Sequence, residues 1–436
     1  MSTADTIFAL SSGQPPSAIG IIRISGPEAS SALRLLSGAV PDERRASLAK
    51  LNDPDSGDLL DTALLLWFPG PNSASGEDLA EIHCHGGRAV IHILENALGN
   101  MDGLRRAEPG EFTRRAFTHG RMDMAEAEGL SDLLFAETEL QRRSAIQAAG
   151  GALSRKVEDW QNGILRLSAM VEAELDFSDE DDVTPAQLDA VQLAARDLAA
   201  EMANMLARPR AEKLREGVRV VLGGPPNSGK STLLNALVER EAAIVSPVAG
   251  TTRDVIEVPI AIHGIPFLFI DTAGVRDDGA EEIERIGIDR ARQQFELADL
   301  ILWLGPEGAG PEEPGGQGDN LVEIASRMDH PEYQPKSPGV LSVSPLAGIG
   351  MDALIALLVD RAKGVVPRGD EISVNQRQAD NLAHAQRNLD EISGYEDYLI
   401  IAEKLRLARG GLDAITGRAS TEDMLDSLFG KFCIGK

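Results

Sequence analysis

Cysteine is nearly absent: Cys84 and Cys433 are the only two in 436 residues. Two cysteines cannot build a disulfide framework, and such usage fits a reducing, cytoplasmic compartment. No apolar run approaches the roughly 20 residues needed to cross a bilayer, so no membrane association is expected. The N-terminus lacks the basic-then-apolar form of a secretory signal. Positive charge is scarce as well. Lys and Arg number 42 against 69 Asp and Glu, a formal net charge of −27. Such a chain repels nucleic acid on average, so any contact with RNA must use a local basic patch or a partner's surface. No fixed-period repeat is present. What remains is ordinary for globular protein, 43% hydrophobic and 25% charged. The length leaves room for two to four domains, each with a core of its own.

The stretch that organises the chain is Gly224-Pro225-Pro226-Asn227-Ser228-Gly229-Lys230-Ser231-Thr232. An apolar, β-rich run, Val218-Arg219-Val220-Val221-Leu222, precedes it. Leu233-Leu234-Asn235-Ala236-Leu237 follows and reads as the first turns of a helix. Strand, Gly-x4-Gly-Lys-Ser loop and helix, in that order, make a phosphate-binding loop. Its glycines let backbone N–H groups close around phosphate oxygens, and the helix N-terminus adds the positive end of its dipole. Lys230 is placed to reach the β- and γ-phosphates, and Ser231 to hold Mg²⁺ through its hydroxyl.

Residues 1–118 read as an α+β domain, with strands at 19–25, 61–68 and 79–85 and a helix at 89–98. Arg23 lies inside the first of these strands. It reads as a snorkelling edge residue or, paired with Glu81 on another strand, as a holder of an anionic or pterin-like ligand. His83 and His85 share one strand face, as satisfied polar residues or as part of a metal site. Arg105, Arg106, Arg114 and Arg115 form a candidate basic patch or four solvated arginines. From 119 the period turns helical, over 124–140, 142–175 and 185–206. The acidic run 176–182 reads as a solvated helix-end loop or a cation site.

Residues 216–365 alternate strand and helix around the phosphate loop. Strands are expected at 266–270, 300–304 and 340–344, helices at 283–295 and 351–362, and a Gly/Pro-rich surface loop at 305–318. This is a doubly wound parallel α/β domain. Residues 366–436 are helical again from 375 to 415. Helical sequence on both sides implies one discontinuous helical domain, 119–215 with 366–436, into which the α/β domain is inserted. The expected fold class is multidomain α/β.

Two more stretches carry chemistry. Ala249-Gly250-Thr251-Thr252-Arg253-Asp254 sits where a switch loop supplies a Thr to Mg²⁺. Asp271-Thr272-Ala273-Gly274, at a strand end, places an Asp near the metal and a Gly N–H near the γ-phosphate. Three such elements in order, about 20 residues apart, point to a GTPase rather than a generic ATPase. Two features are missing. Val275 stands where Ras-like enzymes keep a water-orienting Gln, so another group must position the water. The guanine-reading Asn-Lys-x-Asp motif is also absent. Its nearest counterpart is Ser326-Arg327-Met328-Asp329, in which only Asp329 can accept from guanine N1 and the exocyclic amine. The loop that follows appears as Ser344-Pro345-Leu346. Losing the Asn is expected to weaken base discrimination.

Five stretches together resemble one family. They are Gly20-Ile21-Ile22-Arg23-Ile24-Ser25-Gly26, the region from Pro71-Asn72-Ser73 to Gly86-Gly87, Pro109-Gly110-Glu111-Phe112-Thr113-Arg114-Arg115-Ala116-Phe117, the GTPase motifs, and the C-terminal Phe432-Cys433-Ile434-Gly435-Lys436. The chain resembles the MnmE (TrmE) tRNA-modification GTPases from end to end. The resemblance implies a folate-binding N-terminal domain that mediates homodimerisation, a discontinuous helical domain and an inserted P-loop GTPase domain. It implies a heterotetramer-type complex with an FAD-dependent partner, MnmG, acting on carbon 5 of the wobble uridine of certain tRNAs. The one-carbon unit then comes from a 5-formyl or 5,10-methylene tetrahydrofolate derivative.

Roles follow position by position from the resemblance. Arg23, Glu81, Arg121 and Lys436 match folate-contacting positions. Asn227, Ser246, Val248 and Thr251 match K⁺ ligands, mostly backbone carbonyls in the loop, and Ser231 with Thr252 matches the Mg²⁺ ligands. Ser228, Gly229, Lys230, Thr232, Pro247, Ala249, Gly250, Asp271, Thr272, Ala273 and Gly274 complete the expected GTP site. Lys230 and Glu284 are the expected catalytic residues, Glu284 as the group that orients water. Its bland reading is a solvated carboxylate at a helix start. Cys433 matches the family's C-terminal cysteine. Two other classes stay open: a ribosome-assembly GTPase, and a folate-binding scaffold with a degenerate GTPase.

Overall fold

The structure is a computed structural model that describes residues 5–176, 185–243, 256–271, 293–304, 320–329, 336–418, 422–430 and 432–435. The chain divides into two compact units, Met1–Ser131 with Asp413–Lys436, and Asp132–Leu412.

The first unit is built on a six-stranded sheet in the order β3-β4-β5-β2-β1-β6. The strands are β1 (Thr6–Leu10), β2 (Ile19–Ser25), β3 (Ser47–Asn52), β4 (Leu59–Phe68), β5 (Leu79–His85) and β6 (Leu104–Arg106). Neighbours are antiparallel except β1 and β6, which are parallel. Alternation along each strand decides what each face carries. Ile22, Ile24, Ala63, Leu65, Ala80 and Ile82 turn to one face. There they meet Leu33 and Leu36 of the helix Ala29–Ser37 and Leu94 and Leu98 of the helix Arg88–Gly99, and all ten side chains are at most 1% exposed. Each buried Leu or Ile contributes about 1.5–3 kcal/mol. The opposite face carries Arg23 across from Glu81, and Ile21, His83 and Leu64 in register.

The C-terminal tail is part of this unit. Phe429 and Phe432 pack with Ala127, and Phe429 lies 6.1 Å from the Phe117 ring. Ile434 bridges to Pro109, and Ser11 Oγ donates to the Gly435 carbonyl at 2.8 Å. Gly435 has φ 96°, and a Cβ there would stand 2.2 Å from the Leu10 carbonyl oxygen, so the docked tail requires glycine.

The four arginines do not form a basic patch. Arg115, 7% exposed, donates to Asp5 Oδ1 (2.8 Å), Glu77 Oε2 (3.1 Å) and Glu111 Oε1 (3.2 Å). Arg105 pairs with Asp5 and Glu111, Arg106 with Glu95 and Arg114 with Asp426. A buried guanidinium must be matched by charge; Glu111 supplies it from one helical turn away, and Asp5 and Glu77 from distant parts of the chain.

The second unit holds a seven-stranded sheet in the order β13-β12-β11-β7-β10-β9-β8. These are β7 (Val218–Gly223), β8 (Ala242–Ala243), β9 (Ile256–Ile262), β10 (Ile265–Asp271), β11 (Leu300–Trp303), β12 (Leu321–Ala325) and β13 (Leu341–Ser342). Five strands run parallel, but β9 is antiparallel to β10 and β8 to β9. The sheet is therefore mixed rather than wholly parallel. Only His263 and Gly264, at φ 49° and 80°, join β9 to β10, a hairpin too short for a parallel crossover. Both faces of the parallel part are buried. Val220, Leu222, Phe267 and Phe269 share a core with Leu233, Leu237, Leu354 and Leu358, while Val221, Ile270 and Ile301 pack with Phe295. That is why β7 is apolar on both faces apart from Arg219. The strand expected at 340–344 is only Leu341–Ser342, and it is half-buried.

The expected long helices are broken. Met124–Leu134 ends before Thr138, which caps Glu139–Ala149 in a capping box with Gln141. Gly150 and Gly151 then separate that helix from Ala152–Asp176. Residues 375–415 likewise split into Gln376–Glu391, a short 3-10 turn and Tyr398–Thr416. Leu153, Val157, Trp160, Ile164, Leu167 and Val171, spaced three and four apart, are at most 4% exposed. Their helix packs on Pro185–Leu206, which packs on Gln376–Glu391. Of the acidic run, residues 177–182 lie outside the described residues, as do 305–318 and the expected helix from 283 to 292.

Candidate functional site

β7 ends at Gly223, and the next helix, Lys230–Arg240, begins after the loop 224–229. The loop lines a cavity of about 710 Å³, a volume that suits a nucleotide-sized ligand. Asn227 (φ 61°) and Gly229 (φ 97°) take left-handed backbone, the alternation from which anion-binding nests of N–H groups are built. Gly229 brings no capping side chain to the helix, so the first-turn N–H groups remain for a ligand.

Lys230 is 5% exposed, and its Nζ donates to the carbonyls of Gly224 and Pro225, both at 2.9 Å. The ammonium thus sits inside the loop. Ser231 Oγ donates to Asp271 Oδ2 at 2.7 Å. Asp271 ends β10 in register with Leu222 of β7 and is 2% exposed. The parallel pairing of β7 and β10 is what brings a hydroxyl and a carboxylate together beside the cavity. Hard oxygen ligands of this kind are what Mg²⁺ takes.

The residues after β12 line the same cavity. Ser326 Oγ donates to the Ser228 carbonyl at 2.7 Å, and Arg327, at φ 62°, sends Nη1 to the Asn227 carbonyl at 3.3 Å. Ser344 Oγ donates to Asp329 Oδ1 at 2.6 Å. Asp329 was expected near the base, and it does line the cavity. The bond from Ser326 to the phosphate loop was not anticipated, because no local pattern reports a pairing across 98 residues. Thr232 also lines the cavity. Ser246, Pro247, Val248, Ala249, Gly250, Thr251, Thr252, Thr272, Ala273, Gly274, Val275 and Glu284 lie outside the described residues, as does Lys436.

In the first unit Arg23 Nε and Nη2 donate to Glu81 Oε1 at 3.2 and 2.9 Å, and His83 Nε2 lies 3.1 Å from Glu81 Oε2. Burial works against ionisation of Glu81, but His83 and Arg23 outweigh it and hold the carboxyl below its ordinary range. The Arg23 guanidinium lies 5.8 Å from the Phe112 ring centroid. Arg121 is exposed after the helix Glu111–Thr118, with its stem beside Gly76. His85 Nδ1 is 2.8 Å from Asp61 Oδ1, so both histidines engage carboxylates. No cluster of three potential metal ligands occurs among the described residues. Cys84 is buried and Cys433 exposed. No described helix is long and apolar enough to cross a membrane.

Two family models match the chain. One, described as the N-terminus of the GTP-binding protein TrmE, matches residues 6–121, and the other, described as the MnmE helical domain, matches 124–433. A tRNA modification GTPase MnmE from Erythrobacter litoralis (strain HTCC2594) is 57% identical over 432 residues, 99% of this chain and 100% of that protein. The protein of the same name from Novosphingobium aromaticivorans is 56% identical over 442 residues, 99% of this chain and 100% of its own. That from Rhizorhabdus wittichii is 54% identical over 440 residues, 100% of this chain and 97% of its own.

Proposed function

The chain belongs to the MnmE family of tRNA modification GTPases, and we propose that it hydrolyses GTP in a K⁺-dependent way and, with an FAD-dependent partner, modifies carbon 5 of the wobble uridine of certain tRNAs. Membership makes it a GTPase acting in tRNA modification and sets aside a ribosome-assembly GTPase. The observation that best supports hydrolysis is the Ser231–Asp271 bond beside a cavity that also contains Lys230.

Lys230, which donates to the Gly224 and Pro225 carbonyls, would turn toward the β- and γ-phosphates, and the N–H groups of the loop and first helical turn would orient them. Ser231, with Thr252, would hold Mg²⁺, which supplies charge neutralisation at the phosphate oxygens. Asn227, with Ser246, Val248 and Thr251, would hold K⁺, which supplies the positive charge that an arginine finger gives elsewhere. Glu284 would orient the attacking water, the task Val275 cannot perform.

Arg23, Glu81, Arg121 and Lys436 would hold a tetrahydrofolate derivative, which supplies the one-carbon unit. The Arg23–Glu81 pair fits that role: it puts donors and an acceptor side by side, with 27% and 16% of the two side chains still exposed. The tail also fits, since Gly435 is fixed against Leu10 and the next residue is Lys436. We assign residues 1–118 to folate binding and homodimerisation, 119–215 and 366–436 to the helical domain and 216–365 to the GTPase domain. Leu48 and Leu64, paired on one sheet face and 71% and 42% exposed, support an apolar contact with a second copy. The excess of acid and the internally paired arginines support a tRNA surface supplied largely by the partner, MnmG. The test is nucleoside analysis of tRNA from a deletion strain, with and without this chain restored. Modified wobble uridine should vanish and return; unchanged nucleosides would overturn the reading.

A further inference from the structure

A serine hydroxyl has one hydrogen to donate, and Ser326 gives it to the Ser228 carbonyl at 2.7 Å. Both residues line the cavity. What Ser326 Oγ still offers a ligand is lone pairs. Guanine presents only acceptors, N7 and O6, on one edge, and donors at N1 and the exocyclic amine on the other. Lone pairs do not bind N7. Asp329, also in the cavity lining, is held by Ser344 Oγ at 2.6 Å, and an ionised carboxylate accepts several hydrogen bonds. Asp329 stands where the GTPase motif keeps its base-reading Asp, to which guanine N1 and the amine donate; we infer that in this protein Ser326 leaves N7 unread, because its hydroxyl ties the base loop to the phosphate loop instead.

Ser326 therefore positions rather than selects. Its bond to Ser228, together with that of Arg327 to the Asn227 carbonyl, keeps the loop after β12 against the phosphate loop. Base selectivity is correspondingly one-sided: changes at N7 are tolerated, and changes at the amine are not. The inference rests on the nucleotide-site reading above and concerns only which base atoms are used.

The experiment is equilibrium competition against a fluorescent GDP on the full-length chain, with GDP, 7-deaza-GDP and IDP as competitors. 7-Deaza-GDP should bind within about twofold of GDP. IDP, which lacks the amine and so one hydrogen bond to a charged acceptor, should bind about tenfold or more weakly. Ser326→Asn adds a second donor, one N–H for Ser228 and one for N7, and should create a preference for GDP over 7-deaza-GDP of about threefold or more. Ser326→Ala should weaken both nucleotides while leaving their ratio near one. A wild-type preference of fivefold or more for GDP over 7-deaza-GDP would overturn the inference, and so would equal binding of IDP and GDP. Failure to bind the fluorescent GDP at all would sink the nucleotide site as well, which separates the two failures.

Discussion

Arg23 Nη2 and Glu81 Oε1 stand 2.9 Å apart, from directly opposite positions on β2 and β5. The other oxygen of Glu81 takes His83, so the carboxylate is engaged from both sides. Neither partner is sealed from water. A half-buried ion pair adds little net stability. Disrupting it therefore tests binding more than folding.

Arg23→Ala should abolish binding of formyl- or methylene-tetrahydrofolate while GTP hydrolysis stays within about twofold, because the guanidinium would supply charge-assisted hydrogen bonds only at the proposed folate site. Calorimetry on the full-length variant measures the first and phosphate release the second. Unchanged folate affinity would refute the assignment of Arg23.

The buried acids around Arg115 make the first unit acid-sensitive. Burial opposes the charge on Glu111, but Arg105 and Arg115 outweigh it and hold its carboxyl below the ordinary range. A carboxyl depressed by folding contributes stability above its unfolded value, about 4.3, and loses it as pH falls through the folded value. Glu111→Gln should cost about 2 kcal/mol at pH 7 and progressively less below about pH 4. Denaturant titrations across that range check it. A cost independent of pH would mean that Glu111 acts through shape alone.

Cys84 is 3% exposed, and burial, with the charge of Asp61, pushes its thiol up to about 11. The thiolate is the reactive form. Iodoacetamide at pH 8 should label exposed Cys433 alone in the native protein, and Cys84 only after denaturation. Peptide mass mapping distinguishes the two, and prompt native labelling of Cys84 would contradict its burial.

Glu284→Ala should slow hydrolysis by ~10²-fold or more with nucleotide affinity nearly unchanged, since water positioning acts on the transition state and not on ground-state binding. Single-turnover rates beside equilibrium binding make the comparison. A wild-type rate would hand the task to Asp277, Asp278, Glu281 or Glu282.

Local chemistry made much of this legible. Strands 19–25 and 79–85 and the helix 351–362 stand where alternation and periodicity placed them. The phosphate loop was readable because strand, glycines and helix are contiguous. Helix breaks were harder: the Thr138–Gln141 capping box and the Gly150–Gly151 step are short signals inside long Ala- and Leu-rich runs. Least legible were pairings between distant residues. Arg105 and Arg115 read as a basic patch, but the fold brings Asp5 to both and Glu77 to Arg115. The antiparallel β8–β9 edge and the Ser326–Ser228 bond are likewise properties of tertiary pairing.

Val275 in place of a glutamine, and Asn227 on a left-handed turn of the phosphate loop, are the features behind the proposed K⁺ dependence. It is tested most directly by single-turnover GTP hydrolysis on the full-length chain at fixed Mg²⁺, with K⁺ exchanged for Na⁺ at equal ionic strength. Turnover should fall by roughly tenfold or more in Na⁺. Asn227→Ala should erase the difference while nucleotide still binds, because Lys230 and the loop backbone remain. Equal wild-type rates in the two salts would contradict the claim.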